Sequence, residues 1–270
     1  MTTACISIAE RPSNLGMTMH NAGYKALGLD FVYIPFRVVP ENLENAIKGV
    51  RAFGIRGCGV SMPHKVNAMK YVDTIDDRAK RIGAINTIVN DDGRLSGYNT
   101  DYDGILLSFK EHYNTKDKDV VIIGAGGAAR AIILALKDMG TGRITLLNRT
   151  DEKARKLSRE FSVEHKEWKN LRSIEGDVLI NATPVGMPNL DENILVDKQT
   201  LKRFETLMDV VINPAGSQVV RDAKELGLIT IPGYKIALQQ AARQFELYTG
   251  NKAPMKAMET AVLDLWGLKK

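Results

Sequence analysis

The chain has few of the residues that crosslink a protein or bind metals. Of its 270 residues only Cys5 and Cys58 are cysteine, so neither a disulfide framework nor a cysteine-based metal site is expected. The four histidines are scattered without metal-ligand spacing. No run of 18 apolar residues occurs, so no membrane span is expected. The first residues, MTTACISIAERPS, lack the basic start and long apolar stretch of a signal peptide, which predicts a cytoplasmic protein.

The chain also lacks any clustering of charge. Its net charge is +5 and its pI is about 9.1, values that are compatible with nucleic-acid binding. The basic residues are mixed with acids, however, and no stripe of basic and aromatic residues is present. We therefore favour an enzyme that acts on small anionic molecules over a module that binds nucleic acid.

What the chain does have is a strand, a glycine cluster and a helix in direct succession. Residues 119–140 read DVVIIGAGGAARAIILALKDMG, with an apolar run before the glycines and a helix-like segment after them. The spacing Gly124-x-Gly126-x-x-Ala129 fits the dinucleotide fingerprint with alanine in the third position. Free backbone N–H groups at the positive end of a helix dipole bind phosphate. The segment therefore predicts a nucleotide site.

The end of the next strand indicates which dinucleotide is bound. The β-rich residues 143–147 are followed by Asn148, Arg149 and Thr150, where proteins that bind NAD carry an acidic residue. A guanidinium suits a 2′-phosphate because it offers paired, planar hydrogen bonds. With Lys153 close by, we expect NADP rather than NAD. In the alternative interpretation, Arg149 is a solvated charge and Thr150 only caps the following helix.

Strands and helices alternate on both sides of the glycine motif, which is the pattern of an α/β protein. Before the motif, the sequence predicts strands at 5–9, 31–38 and 57–62, helices at 19–27, 41–53 and 76–83, and a hairpin at 86–97. A helix is predicted from 104 to 113. After the motif, it predicts strands at 177–181, 207–212 and 229–231, and two helices within 237–266.

Three polar clusters lie outside the glycine motif. Ser61 and Lys65 are at the two ends of SMPHK, which follows a strand, and open α/β sheets place their ligands at such strand ends. Asn86-Thr87 is the second cluster, and Asn99-Thr100-Asp101 precedes a helix. The plainer alternatives are that Lys65 is a solvated lysine and that Thr100 or Asp101 caps helix 102–112.

Taken together, these segments resemble the shikimate dehydrogenase family over nearly the whole chain. The landmarks occur in the family's order and spacing: His20-Asn21, residues 60–65, 83–87, 99–101, 124–130 and 148–150, Asn181-Ala182-Thr183 with Gly186-Met187, Asn213-Pro214, residues 240–242, and 245–247. The resemblance implies a two-domain α/β protein with a cleft between the domains. An N-terminal substrate domain would span 1–103, a Rossmann-type NADP domain 104–236, and the last helices, 237–270, would pack back on the first domain.

The resemblance also implies the reaction and its residues. Shikimate dehydrogenases interconvert 3-dehydroshikimate and shikimate with NADPH, and a lysine can give a proton and a positive charge to the developing oxyanion. By resemblance Lys65 is the acid/base and Asp101 its partner, while Ser61, Asn86 and Gln240 contact the substrate. The implied cofactor contacts are Asp77, Gly124, Gly126, Gly127, Ala128, Asn148, Arg149, Thr150, Lys153, Thr183, Val210 and Gly233. For Asp77, stabilisation of the dipole of helix 76–83 is the alternative.

The positions that hold the substrate carboxylate depart from the family pattern. Two serines are replaced by Asn14 and Gly16, and a tyrosine is replaced by Ile212. Losing a hydrogen bond to a charged group costs about 1.5–3 kcal/mol, so two losses weaken shikimate binding about 100-fold. Asn14, Thr18 or Lys235 would have to compensate. Quinate or an amino analogue of shikimate are alternative substrates, a catalytically weak ligand sensor is an alternative function, and either a monomer or a homodimer is expected.

Overall fold

The computed structural model describes residues 1–188 and 193–268, and the chain divides into two compact units. Unit 1 comprises residues 1–103 together with 238–270, and unit 2 comprises residues 104–237. Each unit contains one six-stranded sheet. Among the residues described, no helix has the length and apolar character needed to cross a bilayer. The same residues contain no group of three or more His, Cys, Asp or Glu side chains arranged to hold a metal ion.

The sheet of unit 1 is mixed, with the strand order β2-β1-β3-β5-β6-β4. Its strands are β1 (Thr3–Ala9), β2 (Phe31–Arg37), β3 (Gly57–Val60), β4 (Thr74–Ile75), β5 (Thr87–Asp91) and β6 (Arg94–Tyr98). The first three strands are parallel, and β5 and β6 form an antiparallel hairpin. Asp92 and Gly93 make its turn with φ of 50° and 92°, as an Asp-Gly hairpin requires.

The helices of unit 1 bury one apolar face each. They are α1 (Leu15–Ala26), α2 (Leu43–Ala52), α3 (Asp77–Ile82), the start of α4 (Asp101–His112), most of α9 (Gly233–Thr249) and α10 (Met255–Leu265). In α2 the buried residues Leu43, Ile47 and Val50 recur at helical spacing. Helix α1 begins four residues earlier than predicted, because Leu15 is buried one turn before Met19 and extends the apolar stripe.

The C-terminal helices belong to unit 1. Helix α10 packs on α1, and the ring of Tyr248 in α9 lies against β3. A Cβ at Gly57 would meet that ring at 2.4 Å, so glycine is required there. Arg56 donates from Nε to the backbone oxygen of Tyr248 over 2.9 Å and from Nη2 to that of Leu247 over 3.2 Å. The last helices therefore pack on the first sheet, as the resemblance implied.

The sheet of unit 2 is parallel throughout, with the order β12-β11-β10-β7-β8-β9. Its strands are β7 (Val120–Ile123), β8 (Ile144–Leu147), β9 (Glu164–His165), β10 (Val178–Asn181), β11 (Thr206–Asp209) and β12 (Ile229–Ile231). Numbered from one to six within the unit, this is the 3-2-1-4-5-6 order of the Rossmann fold. The four central strands are entirely buried, which explains their continuous apolar sequences.

Apart from α4, which precedes β7, each helix of unit 2 follows a strand. They are the remainder of α4, α5 (Gly127–Asp138), α6 (Asp151–Phe161), α7 (Lys198–Leu201), α8 (Gln218–Glu225) and the first turn of α9. The chain order reverses at β7, so the glycine motif after β7 lies at the switch point where such sheets bind ligands. The strand predicted over 207–212 ends at Asp209, because that side chain turns into a buried hydrogen-bond network described below.

Candidate active site

Lys65 and Asp101 form an ion pair in unit 1. Lys65 Nζ lies 2.5 Å from Asp101 Oδ2, and each side chain keeps 17% of its surface exposed. Lys65 lies in the turn after β3, and Asp101 is the first residue of α4. Lys65 is thus neither free nor fully solvated, and the Asp101 carboxylate binds a cation instead of serving only as a helix cap. A lysine held in this way can supply both a positive charge and a proton.

The turn that carries Lys65 is fixed by its neighbours. The backbone oxygen of Lys65 accepts a hydrogen bond from Ile85 N over 2.8 Å. His64, which is 1% exposed, places Nε2 at 2.8 Å from the backbone oxygen of Val38. The His64 side chain therefore has a structural role, and it holds the lysine at the end of the sheet.

Asn86 and Gln240 join the ion pair. Asn86 Nδ2 donates to Asp101 Oδ1 over 2.9 Å, and it also lies 3.1 Å from Thr100 Oγ1 and 3.3 Å from Gln240 Oε1. Asn86 Oδ1 accepts from the backbone N–H of Thr100 over 2.8 Å. Four of the predicted substrate residues, on four different segments of the chain, are therefore connected in one hydrogen-bond network.

The remaining predicted substrate residues lie outside this network. Ser61 is exposed beyond the end of β3. Asn14 is exposed at the N-cap position of α1, where its side chain makes no capping hydrogen bond. Gly16 lies in the first turn of α1, and a Cβ there would meet the Tyr33 ring at 3.5 Å, an ordinary van der Waals distance.

The glycine motif of unit 2 has the geometry that a dinucleotide needs. Gly124 has φ of 119°, and a Cβ there would meet Ala182 O at 2.6 Å, so only glycine fits. At Gly126, by contrast, a Cβ would find no heavy atom within 4 Å among the described residues. Ala129 is fully buried in α5. The motif therefore combines a tight turn, an open backbone for phosphate, and close packing of the helix on the sheet. Gly127 and Ala128 form the first turn of α5 beside it.

Two unpaired cations flank the end of β8. Within the parts of the chain that the structure describes, neither the exposed Arg149 nor Lys153 makes a side-chain hydrogen bond or ion pair. Arg155 does, with Glu167 at 3.2 Å. Thr150 occupies the N-cap position of α6 without a side-chain capping bond. Asn148 Nδ2 donates to Thr150 O over 3.0 Å and so shapes the turn.

Three further predicted cofactor residues, Thr183, Val210 and Gly233, lie in unit 2. A Cβ at Gly124 would be 3.1 Å from Thr183 Cγ2, and a Cβ at Gly233 would be 2.8 Å from the Val210 carbonyl carbon. Thr183 Oγ1 donates to Asn181 Oδ1 over 2.6 Å. These contacts place Thr183 beside the glycine motif and Gly233 against the backbone that follows β11.

Asp77 has a different setting from the other predicted cofactor residues. It is the first residue of α3, its side chain is 94% exposed, and it pairs with Lys80 Nζ at 2.8 Å. The Lys80 ammonium lowers the pKa of the Asp77 carboxyl. A carboxylate in the first turn of a helix also stabilises the helix dipole, in agreement with the alternative interpretation.

Asp209 is a functional candidate that sequence reasoning missed. This fully buried carboxylate accepts hydrogen bonds from Asn181 Nδ2 over 2.9 Å, from Val211 N over 3.0 Å and from Ser217 Oγ over 2.5 Å. Burial raises its pKa to about 6. The one signal in the sequence is a carboxylate directly after the apolar residues of a central strand. Asp209 organises the two loops that carry Thr183 and Val210.

Comparison with known proteins agrees with this geometry. Residues 13–88 match the model of the shikimate dehydrogenase substrate binding domain, residues 107–219 that of shikimate / quinate 5-dehydrogenase, and residues 233–263 that of the shikimate 5′-dehydrogenase C-terminal domain. The chain belongs to the shikimate dehydrogenase family. The predicted family and the α/β fold class are thereby confirmed.

Individual relatives and solved structures are similar to this chain along almost their full length. The chain is 39% identical to shikimate dehydrogenase (NADP(+)) of Methanothermobacter thermautotrophicus, over 92% of this chain and 91% of that protein. A crystal structure of a shikimate dehydrogenase in complex with NADP+ superposes with a TM-score of 0.89 at 37% identity, covering 100% and 96% of the two chains. The ligand-free 5-ketofructose reductase of Gluconobacter sp. strain CHM43 gives 0.88 at 32% identity, covering 98% and 99%.

Proposed function

We propose that this protein is an NADP-dependent shikimate dehydrogenase, which reversibly reduces 3-dehydroshikimate to shikimate. The observation that carries the proposal is the Lys65–Asp101 ion pair, with Asn86 and Gln240 joined to it, in a chain of this family. Proteins similar to this chain carry NADP+ in their names, which supports the choice of cofactor.

In this proposal Lys65 is the general acid of the reduction. Bound NADPH supplies a hydride to the ring carbonyl carbon. As negative charge grows on the carbonyl oxygen, the Lys65 ammonium stabilises it and transfers a proton to it, which leaves a neutral amine. The Asp101 carboxylate holds Lys65 in place. Because the pair is partly exposed, water can return the proton to the amine after each turnover.

The residues of unit 2 fit NADP. The glycine motif would bind the diphosphate through the N–H groups of Gly126, Gly127 and Ala128. Arg149 and Lys153 would hold the 2′-phosphate, since neither has another partner among the described residues. Asn148 and Thr150 would complete that subsite. The nicotinamide end would lie near Thr183, Val210 and Gly233, and Asp77 remains a predicted cofactor contact.

The proposed substrate contacts are divided between the ring hydroxyls and the carboxylate. Ser61, Asn86 and Gln240 would bind ring hydroxyls, while Asn14 and Gly16 would face the carboxylate with one amide and one backbone N–H. A neutral polyol ketone is a second candidate substrate, because a 5-ketofructose reductase is a structural neighbour and the two serine hydroxyls are absent here. Quinate and an amino analogue of shikimate remain candidates as well.

The test is a substrate panel with the purified protein. NADPH or NADH formation would be followed by absorbance with shikimate, quinate and aminoshikimate, each with NADP+ and with NAD+, and NADPH consumption would be followed with 5-ketofructose. We expect the highest kcat/KM with shikimate and NADP+. Calorimetric binding of NADPH without turnover of any of these compounds would overturn the proposal in favour of a ligand sensor. A cytoplasmic location and a monomer or homodimer also remain predictions, the latter testable by light scattering.

A further inference from the structure

Beneath Asn86 lies a row of buried polar side chains that the proposed chemistry does not use. His20, Thr87 and Gln244 are 0%, 0% and 4% exposed, and they come from α1, β5 and α9 of unit 1. Gln244 Nε2 lies 2.9 Å from Thr87 Oγ1, and Thr87 Oγ1 lies 2.7 Å from Asn86 Oδ1. His20 Nε2 lies 3.4 Å from Gln244 Oε1. We call His20, Gln244, Thr87 and Asn86 the buried row.

The direction of each hydrogen bond in the buried row follows from its partners. Gln244 Nε2 lies 3.2 Å from the backbone oxygen of Asn86, which can only accept, so this end of the amide is the donor. The same NH2 group donates to Thr87 Oγ1, which leaves the Thr87 proton free for Asn86 Oδ1. The opposite end, Gln244 Oε1, must then accept from His20 Nε2.

His20 closes the far end of the buried row as a neutral ring. If Nε2 carries the proton, Nδ1 is the bare nitrogen, and Nδ1 is buried with no hydrogen-bond partner among the described residues. Burial lowers the pKa of His20 to about 4, so the ring stays neutral at physiological pH. Tyr33 stacks on it with ring centroids 4.4 Å apart and planes 4° apart, and Asn21 fixes the Tyr33 backbone through hydrogen bonds of 2.8 and 3.1 Å.

Asn86 ends the buried row at the ion pair. Its Oδ1 accepts from the Thr87 hydroxyl and from the Thr100 N–H, so its NH2 group must face the opposite way, toward Asp101 Oδ1. Asp101 Oδ2 accepts from Lys65. Every step from His20 onward therefore donates toward the Asp101 carboxylate, and no step is reversible without placing a buried donor against a donor or an acceptor against an acceptor.

We propose that Gln244 and Thr87 are positioning residues, which fix the amide of Asn86 so that it donates to Asp101 and keeps that carboxylate directed at Lys65. This inference rests on the proposed function for its kinetic consequence, although the hydrogen-bond direction is independent of it. Neither side chain touches the reacting atoms, so both act through Asn86. Losing either one weakens the hold on the Asn86 amide, although the Thr100 N–H still donates to its Oδ1, and the Asp101 carboxylate is then less firmly directed at Lys65.

The kinetic test uses near-isosteric changes. Gln244→Met and Thr87→Val should each lower kcat for shikimate oxidation about tenfold, which corresponds to about 1.4 kcal/mol, with KM nearly unchanged. The double variant should lose no more kcat than the more impaired of the two single variants, because both changes interrupt one network. Thr87→Ser keeps the hydroxyl and should restore most of the rate. Gln239→Met, on the same helix at a position without a hydrogen-bond partner among the described residues, is the matched control and should behave like the wild type.

A spectroscopic test reads the direction itself and needs no turnover. In the 15N spectrum of the wild type, His20 should be neutral with its proton on Nε2, and the Asn86 side-chain amide should exchange slowly with water. In Thr87→Val and Gln244→Met the Asn86 amide should exchange faster while the unfolding temperature shows that the protein is folded.

The outcomes separate this inference from the proposed function. A wild-type His20 with its proton on Nδ1, or an Asn86 amide whose exchange is unaffected in both folded variants, would overturn the buried row as a positioning device. Additive kinetic losses, or a loss confined to KM, would also overturn it. A wild type that oxidises none of the tested acids would overturn the proposed function, and the spectra would still decide the direction of the row.

Discussion

Asn181 donates from Nδ2 to Oδ1 of Asp209 over 2.9 Å, and the two residues end the adjacent strands β10 and β11. Asn181 Nδ2 also donates to Val185 O over 3.0 Å, which turns Oδ1 of the amide toward Thr183 N and Oγ1. One buried carboxylate therefore sets the orientation of the loop that carries a predicted cofactor contact. No cation among the described residues neutralises Asp209, so its ionisation is costly.

This cost should appear as a pH dependence of stability. Burial raises the pKa of Asp209 from 3.8 to about 6, so between these values the folded protein binds more protons than the unfolded chain does. Stability from this group is therefore lost as the pH rises through that window, by about 3 kcal/mol in total. Asp209→Asn removes the loss, and its unfolding free energy relative to the wild type should improve between pH 4.5 and pH 7.

His20 acts in the opposite sense. Its pKa is lowered from 6.5 to about 4 by burial, so its contribution to stability rises with pH over nearly the same window and flattens the wild-type profile. Denaturant titrations should therefore be compared as differences between variants. The control is Glu175→Gln, which changes an exposed carboxylate in unit 2. Its unfolding free energy should differ from that of the wild type by the same amount at every pH. A pH-independent difference for Asp209→Asn would contradict the buried charge.

Lys65→Ala should lower kcat by about 100-fold to 10,000-fold and change KM far less, because the lost interaction grows with the charge on the substrate oxygen. Steady-state kinetics with shikimate and NADP+ measure this. Lys70→Ala removes an exposed lysine a few residues away and should keep the wild-type kcat. An effect of Lys65→Ala confined to KM would exclude the proton-transfer role.

Arg149→Ala should raise KM for NADP+ by about 10-fold to 100-fold, the equivalent of one or two hydrogen bonds to a phosphate, and leave NAD+ nearly unaffected. The ratio of kcat/KM for the two cofactors is the measurement. Arg159→Ala, in the last turn of α6, is the matched control, since it removes an exposed arginine from the helix that follows Arg149. Equal losses with both cofactors would show that Arg149 does not bind the 2′-phosphate.

Two glycines of the dinucleotide motif should respond differently to alanine. At Gly126 the protein leaves space for a Cβ, so Gly126→Ala should fold with an unchanged melting temperature and still bind NADP+ at least tenfold more weakly, because the methyl group takes the place of a phosphate. At Gly124 the Cβ would be 2.6 Å from Ala182 O, so Gly124→Ala should lower the melting temperature as well. Normal NADP+ binding by a folded Gly126→Ala variant would show that the cofactor's phosphates do not bind at Gly126.

Gly16→Ser tests the carboxylate site. A Cβ there meets the Tyr33 ring at an ordinary 3.5 Å, so the variant should fold, and the new hydroxyl should lower KM for shikimate by about tenfold. Activity with 5-ketofructose, if present, should not improve. An unchanged KM for shikimate would show that the substrate carboxylate binds away from α1. The control is Gly49→Ala, in α2, which should leave both activities intact.

Patterned elements were predictable from the sequence, and buried polar networks were not. The strand of β7 and the glycines after it form a local motif, so their structure follows from adjacent residues. Asp209 and Gln244 depend on partners 28 and 158 residues away, Asn181 and Asn86 respectively, and the residues beside them in the sequence do not identify those partners. Element ends were misplaced where burial continued past a polar residue, as at the start of α1, or where a buried polar side chain ended a strand, as Asp209 does in β11.

The packing of the Tyr248 ring against Gly57 has a consequence for biosynthesis. A ribosome delivers the whole of unit 2 as one uninterrupted stretch, whereas the first sheet must wait for the helix near the carboxyl terminus before its surface is covered. The unit made second is therefore expected to mature before the unit made first, and nascent chains halted just short of Tyr248 should expose the apolar side of β3 to chaperones.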